Sequence, residues 1–308
     1  MNDIGKIILD TDIGDDIDDA FALLLLSESN KAEVLGVTTV FRNASKRAKM
    51  ASYLLRKLHK DTPVYPGIDM PLKAKIENIV PLEIRQKEKV DEDGKYHLPQ
   101  YASYMDEAAI EKEDAVSFII ESVHRYPGEV TIIPIGPLTN IATAFRKDPS
   151  IIPLIKEVRL MGGGLGLNFA EWNMWCDPEA ANIVYNSGVN LTTVGLNVTC
   201  KTQLDEPYIK MMKESKSKAL SIVYDMMMKW FEHYQFAAPV MHDPLTVASL
   251  LDPGILKFED KHLDIILDGP QYGYVVERDS NPHWIHYASD VDKQRFFQLL
   301  KSVIFEHI

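Results

Sequence analysis

"KIILDTDIGDDIDDAFALLLL" (residues 6–26) carries six aspartates in the ten positions from Asp10 to Asp19, set between two apolar runs. Lys6 to Leu9 reads as a short strand that runs straight into the acidic stretch. Ala20 to Leu26 reads as the opening of a buried helix that begins near Asp18. The unit is therefore strand, acidic loop, helix. An apolar strand followed directly by a helix is how a parallel α/β sheet begins.

The alternation continues along the chain. Val34 to Phe41 ("VLGVTTVF") is a second strand, β-branched and apolar, and Ser45 to His59 follows as an amphipathic helix. Val130 to Ile135 is a third, with a helix from Leu138 to Arg146. Val158 to Met161 runs into Gly162, Gly163 and Gly164, and Asn190 to Leu196 is a further strand. The predicted fold is an open, mostly parallel α/β sheet with helices on both faces. Asp177-Pro178 and Asp243-Pro244 each predict an N-cap aspartate before an N1 proline. Residues 83–95 ("EIRQKEKVDEDGK") hold nine charges in thirteen positions and predict a solvated loop. With no internal repeat or linker, the expected organisation is a single catalytic domain over 1–308 with a charged insertion near 70–114.

Composition narrows the partners. The chain is 46% hydrophobic and 25% charged, an ordinary globular balance, with a net charge of −12. That charge argues against nucleic-acid backbones and anionic membranes. No apolar run approaches the roughly 18 residues that a membrane span needs, and the first residues do not resemble a secretory signal. Cys176 and Cys200 lack metal or redox spacing, as expected of thiols in a reducing cytoplasm.

In open α/β sheets ligands bind beyond the carboxyl ends of the strands. Polar residues collect at that edge here. The first strand ends in the aspartates, and the second ends at Thr38-Thr39 and reaches Asn43. The third ends at Gly136 near Thr139 and Asn140, and the fourth leads through the glycines to Asn168, Glu171 and Asn173. Carboxylate and carbonyl oxygens suit calcium or magnesium rather than zinc. Asp12 and Asp19 flank a turn at Gly14 and could face one cation, which would offset repulsion that a helix dipole of about 0.3–1 kcal/mol per charge cannot. An EF-hand does not fit, because counting from Asp10 puts Phe21 where a bidentate glutamate is required. Asp10-Thr11-Asp12 also matches the short Asp-x-Asp motif of haloacid dehalogenase-type phosphatases, with Asp10 as nucleophile, but that reading leaves the remaining aspartates unused.

The chain resembles the inosine–uridine-preferring nucleoside hydrolase family in five ordered segments: "DTDIGDDIDDA", "VTTVFRN", "PIGPLTNIA", "MGGG" with "NFAEWN" and "DPEAA", and "HDPLTVA". The resemblance implies calcium-dependent hydrolysis of the N-glycosidic bond of ribonucleosides, a role in nucleoside salvage, and assembly as a homodimer or homotetramer. It implies that Asp12, Asp19, Asp243 and the main-chain carbonyl of Ile135 bind the metal and that Asp18 deprotonates the attacking water. It implies that Asn43, Asn168, Glu171 and Asn173 hold the ribose, with Asp10 in support and His242 near the base. The chain departs from the family in having three residues, Asp15, Asp16 and Ile17, between Gly14 and the Asp18-Asp19 pair, where one is usual. An alternative register makes Asp16 a ligand or the base.

The implied chemistry suits these residues. Breaking an N-glycosidic bond builds positive charge on the ribose, which dense carboxylates stabilise. A cation lowers the pKa of the attacking water, and Asp18 takes its proton. The leaving base needs a proton or hydrogen bonds, for which His242 is one candidate. His233 and Tyr234, in the aromatic stretch "KWFEHYQF" (229–236), could line the base pocket, although such residues at helical spacing also suit a core. His97 is expected to face solvent unless the insertion closes over the site. Trp172 and Trp175 suit a wall beside the sugar or packing beneath the loop. The triple glycine suits close backbone approach better than a phosphate cradle, since no Lys-Ser/Thr follows. A pocket kept without catalysis, as in a nucleoside sensor, is a further alternative.

Overall fold

Strand β1 (Lys6–Thr11) lies inside an eight-stranded sheet, flanked on both sides by parallel neighbours in a computed structural model that describes residues 4–80 and 85–306. Pairing runs Asp10 to Thr38 and Thr11 to Thr39 on β2 (Glu33–Thr39), and Asp10 to Pro134 on β4 (Val130–Pro134). The three strands therefore end together. The backbone N–H of Ile135 donates to the Asp10 carbonyl at 2.8 Å, so Asp12 and Ile135 leave the sheet side by side.

The full order is β3-β2-β1-β4-β5-β6-β10-β7, with β3 (Val64–Pro66), β5 (Glu157–Met161), β6 (Leu191–Val194), β7 (Leu256–Lys261) and β10 (Ile285–Val291). Strands two and three lie on one side of β1 and strand four on the other. The direction of winding thus reverses between β1 and β4, and loops diverge there to leave a crevice. β7 pairs antiparallel to β10 as an edge strand, and its sequence "LKFEDK" is too charged to read as buried sheet. A separate hairpin joins β8 (Leu263–Ile265) to β9 (Val275–Glu277).

Helix α1 (Asp18–Glu28) is apolar all round because it is enclosed: Ala20 to Leu26 are each at most 1% exposed. Each leucine buried there is worth about 2 kcal/mol. On α1's side of the sheet also lie α2 (Ala44–Lys57), α8 (Lys218–Tyr234) and α9 (His242–Leu251). The other side carries α3 (Ala115–Arg125), α4 (Thr139–Lys147) and α6 (Pro178–Tyr185). Short α5 (Trp172–Cys176) precedes α6, α7 (Glu206–Glu214) precedes α8, and α10 (Lys293–Leu300) follows β10.

Two local expectations need correction. Asp177 caps α6, its side chain accepting from the Ala180 amide, but Asp243 caps nothing. Helix α9 starts earlier, at His242, which turns the Asp243 carboxylate inward. The charged stretch 83–95, whose residues 83 and 84 fall outside the described residues, is not simply solvated. Arg42 grips Glu88 through two bonds of 2.9 and 2.6 Å, and Lys95 pairs with Asp69 at 2.8 Å. Among the described residues no helix is long and apolar enough to cross a membrane.

Candidate active site

A cavity of about 1100 Å³ opens at the β1/β4 rim. Asp12, Asp18, Asp19, Asp243, Ile135, Glu171 and Asn173 lie at its floor and walls. Carboxylate oxygens of Asp18, Asp19 and Asp243 fall within 4.8 Å of one another, and all three residues are buried. Asp18 and Asp19 begin α1, and Asp243 lies in the first turn of α9, so two helix N-termini point their free amides at the cluster. The Asp243 amide donates to Asp18 Oδ2 at 3.0 Å, and the Thr11 hydroxyl donates to Asp19 Oδ1.

Electrostatics make this cluster hungry for positive charge. Burial, and then repulsion between neighbours, holds Asp18, Asp19 and Asp243 well above the usual carboxylate range. Burial pushes Asp12 up to about 7, with the Arg47 guanidinium opposing, and Asp16 up to about 6. Asp10 is fully buried and raised to about 6. Its Oδ1 takes the Thr38 hydroxyl at 2.6 Å and the Asn140 amide at 2.7 Å, while its Oδ2 has no partner. Three buried carboxylates whose oxygens lie within 4.8 Å of one another, with no sulfur or imidazole in the group, fit a hard divalent cation. Asp12 faces the same cavity but lies outside the tightest group of three.

The sugar-side residues divide. Glu171 caps α5: its carboxylate accepts from the amides of Gly163 (2.9 Å), Asn173 (3.0 Å) and Met174 (3.2 Å). Close approach of the glycine run is required here, because Gly163 has φ 71° and a Cβ on it would meet Val275 at 2.5 Å. Asn173 Nδ2 donates to the Ile135 carbonyl at 2.9 Å, which leaves that oxygen a second lone pair. Asn43 and Asn168 do not line the cavity. Asn43 ends a left-handed run with Phe41 and Arg42 (φ 68°, 37° and 67°), and its amide is taken by Asp91 and the Tyr96 carbonyl. Asn168 is exposed, its carbonyl held by the Tyr274 hydroxyl.

Aromatic rings form the upper wall. His233 packs edge-on to Tyr234, Tyr234 stacks on Phe236 at 5.6 Å, and Trp230 lies buried beneath. Trp172 and Phe169 stand half-exposed at the mouth, whereas Trp175 packs away from the cavity, donating to the Ile79 carbonyl at 3.0 Å. His97 lines the cavity rather than facing open solvent, because the segment from residue 85 folds against the rim. His242 lines it too, with Nδ1 2.7 Å from the Thr199 hydroxyl. Burial lowers its pKa to about 4, so at neutral pH it offers a hydrogen bond rather than a full positive charge.

Arg47, Arg42, Tyr96, Trp230 and Phe236 were not singled out from the sequence. Arg47 left one legible sign: it shares the helical face of Ala44, Ala48 and Ala51, all buried, where a charge needs a buried partner. The phosphatase alternative fails on geometry. Asp10 is wholly buried and does not line the cavity, so its carboxylate meets no phosphoester.

A model of the family described as "Inosine-uridine preferring nucleoside hydrolase" matches residues 7–298. The pyrimidine-specific ribonucleoside hydrolase RihB of Escherichia coli O9:H4 (strain HS) is 34% identical over 282 residues, 88% of this chain and 86% of its own length. Among solved structures, a purine-preferring ribonucleoside hydrolase from Gardnerella vaginalis is similar at TM-score 0.83 and 27% identity, over 98% of each chain. A plant nucleoside hydrolase, PpNRh1, is similar at TM-score 0.81 and 26% identity, over 98% of this chain and 99% of its own.

Proposed function

The chain belongs to the inosine–uridine preferring nucleoside hydrolase family, a metal-dependent group that hydrolyses the N-glycosidic bond of ribonucleosides, and from that premise we propose that calcium is its metal and Asp18 its proton acceptor. The observation that carries this reading is the convergence of Asp18, Asp19 and Asp243 at the floor of a cavity whose upper wall is aromatic. Asp12, Asp19, Asp243 and the Ile135 carbonyl would hold the ion. Bound there, calcium supplies a fixed positive charge that acidifies the attacking water and orients the ribose hydroxyls.

The rest is work for side chains of this protein. Asp18, aimed by the Asp243 amide, takes the proton of the water as it attacks the anomeric carbon. Glu171 and Asn173 fix the ribose from the glycine loop side. For Asn43 and Asn168 a ribose-binding role is carried by the family resemblance alone, since neither lines the cavity and the Asn43 amide is held by Asp91 and Tyr96. The buried carboxylates stabilise the positive charge that develops on the ring, and the walls exclude bulk water that would screen them. Asp10 supports this floor from beneath, between Thr38 and Asn140. Tyr234, His233 and the rings around them take the flat base by stacking. Neutral His242 donates a hydrogen bond to the leaving base. The reading extends to a cytoplasmic homodimer or homotetramer, carried by the family resemblance alone.

The test is release of free ribose from a panel of purine and pyrimidine nucleosides, because the relatives named above divide between the two. Release that is lost on chelation and restored by calcium better than by magnesium is the expected result. Undiminished release from the chelated protein overturns the metal assignment. No release from any nucleoside with calcium present overturns the activity.

A further inference from the structure

The two residues that lengthen the acidic loop are Asp15 and Asp16, and Asp15 has partners on both sides. Its Oδ2 meets Arg47 Nη2 at 2.7 Å, and its Oδ1 accepts from the Tyr96 hydroxyl at 2.8 Å. Arg47 is wholly buried, so its guanidinium must find acceptors inside the protein. Nε donates to the Phe41 carbonyl at 2.6 Å, and Nη1 donates to the Ile13 carbonyl at 3.0 Å and to the Asp12 carbonyl. The helix α2 cation thus grips the backbone that carries Asp12 and the side chain of Asp15 together.

On its other side Asp15 reaches the segment that walls the cavity. The Tyr96 ring lies 3.7 Å beneath the Arg42 guanidinium, which is forked onto Glu88. The Tyr96 carbonyl accepts from Asn43 at 2.8 Å, and Gln100 Nε2 donates to the carbonyls of Asp15 and Asp16 at 2.8 and 2.7 Å. Tyr96 itself lines the cavity together with Tyr234. Of these contacts, the Tyr96 hydroxyl bond joins a side chain of the substrate wall to a side chain of the acidic loop, whereas Gln100 reaches only the loop's backbone.

Building on the nucleoside-hydrolase reading, we propose that Asp15 is a positioning residue for the reaction: it ties the Tyr96 wall of the nucleobase pocket to the carboxylate floor, with Arg47 as its counter-charge. The wall is then set at one distance from the floor, and the base and the sugar are gripped as one unit. The Tyr96–Asp15 bond is charge-assisted and largely shielded, so its loss should cost about tenfold in substrate grip. The consequence is a pair of residues whose effects do not multiply.

The experiment measures kcat and KM for the best nucleoside of the panel, calcium affinity by titration calorimetry, and Tm, for Tyr96→Phe, Asp15→Asn and the double variant. Tyr96→Phe is expected to raise KM about tenfold with kcat and calcium affinity within about twofold. Asp15→Asn should raise KM at least as much, and the double variant should be no worse than Asp15→Asn alone. Tyr96→Phe removes one hydroxyl from a half-buried ring, so it decides the matter even where Asp15→Asn does not fold. A lowered Tm with unchanged KM in Tyr96→Phe, or KM effects that multiply in the double variant, overturns the proposal alone. A parent protein that hydrolyses no nucleoside overturns the functional reading, and this proposal with it.

Discussion

Acidifying the metal-free protein from about pH 7.5 to about pH 5 is expected to raise its thermal stability, the reverse of ordinary acid denaturation. Burial holds Asp12 up at about 7 and Asp10 and Asp16 at about 6, against 3.8 for an exposed aspartate. A carboxyl raised in this way costs stability once ionised. The cost is absent below about pH 4, grows as pH climbs through the folded-state values, and is complete above about pH 7. His242 acts oppositely: at about 4 against 6.5 it resists charging, so its contribution is lost as pH falls through that window. At about 1.4 kcal/mol per tenfold change in proton affinity, the three aspartates gain on the order of 5 kcal/mol and His242 loses about 2, a net of about 3 kcal/mol. For 308 residues that is about 5 °C in Tm. Asp18, Asp19 and Asp243 are pushed the same way and enlarge the effect. Carboxylates held low by a surface cation, such as Asp106 beside Lys46, titrate below this window. Saturating calcium competes with those protons, so its own stabilisation should be largest at the higher pH. Scanning calorimetry of chelated and calcium-loaded protein at both pH values checks this. A chelated Tm that falls on acidification, or a calcium increment equal at both pH values, refutes the reasoning.

Asp18→Asn should lose on the order of a thousandfold in ribose release while still binding calcium by calorimetry, whereas Asp16→Asn keeps most activity. The opposite ranking would mean that the acidic loop is registered differently. Gly163→Ala places a methyl against Val275 at a positive φ and should cost about 1–3 kcal/mol in denaturant unfolding, with Glu171 displaced and KM raised. Trp172→Ala, at the cavity mouth, should raise KM several-fold with little change in Tm, since the ring is 45% exposed.

Much of the fold was legible because its signals are local. Strands β1, β2 and β4 and helices α1, α2 and α4 follow from apolar runs whose period and punctuation need no distant partner, whereas the short β3 and helix α3 were not read from the sequence. Edge strand β7 was hidden by its four charges, and the early start of α9 by a proline that usually marks the first turn. The candidate site was half legible. Strand-end position, with the family resemblance for Asp243, named Asp12, Asp18, Asp19, Asp243, Glu171 and Asn173, which do meet at one cavity, whereas Asp10 lies beneath it. Strand-end position also named Asn43, whose amide the structure commits to Asp91 and Tyr96.

The six aspartates between Asp10 and Asp19 illustrate the division. By itself the sequence determined that so much negative charge at a strand end needs a cation or a proton, because repulsion at that density holds in any fold. Which oxygens share a centre was decided only by tertiary structure. Asp243 reaches Asp18 across 225 residues, since the sheet order sets α9 against α1. Asp15 faces Arg47 and Tyr96 rather than the cluster because a buried guanidinium from α2 captures it. Local pattern records what a residue can do; its neighbours in space settle which of those things it does.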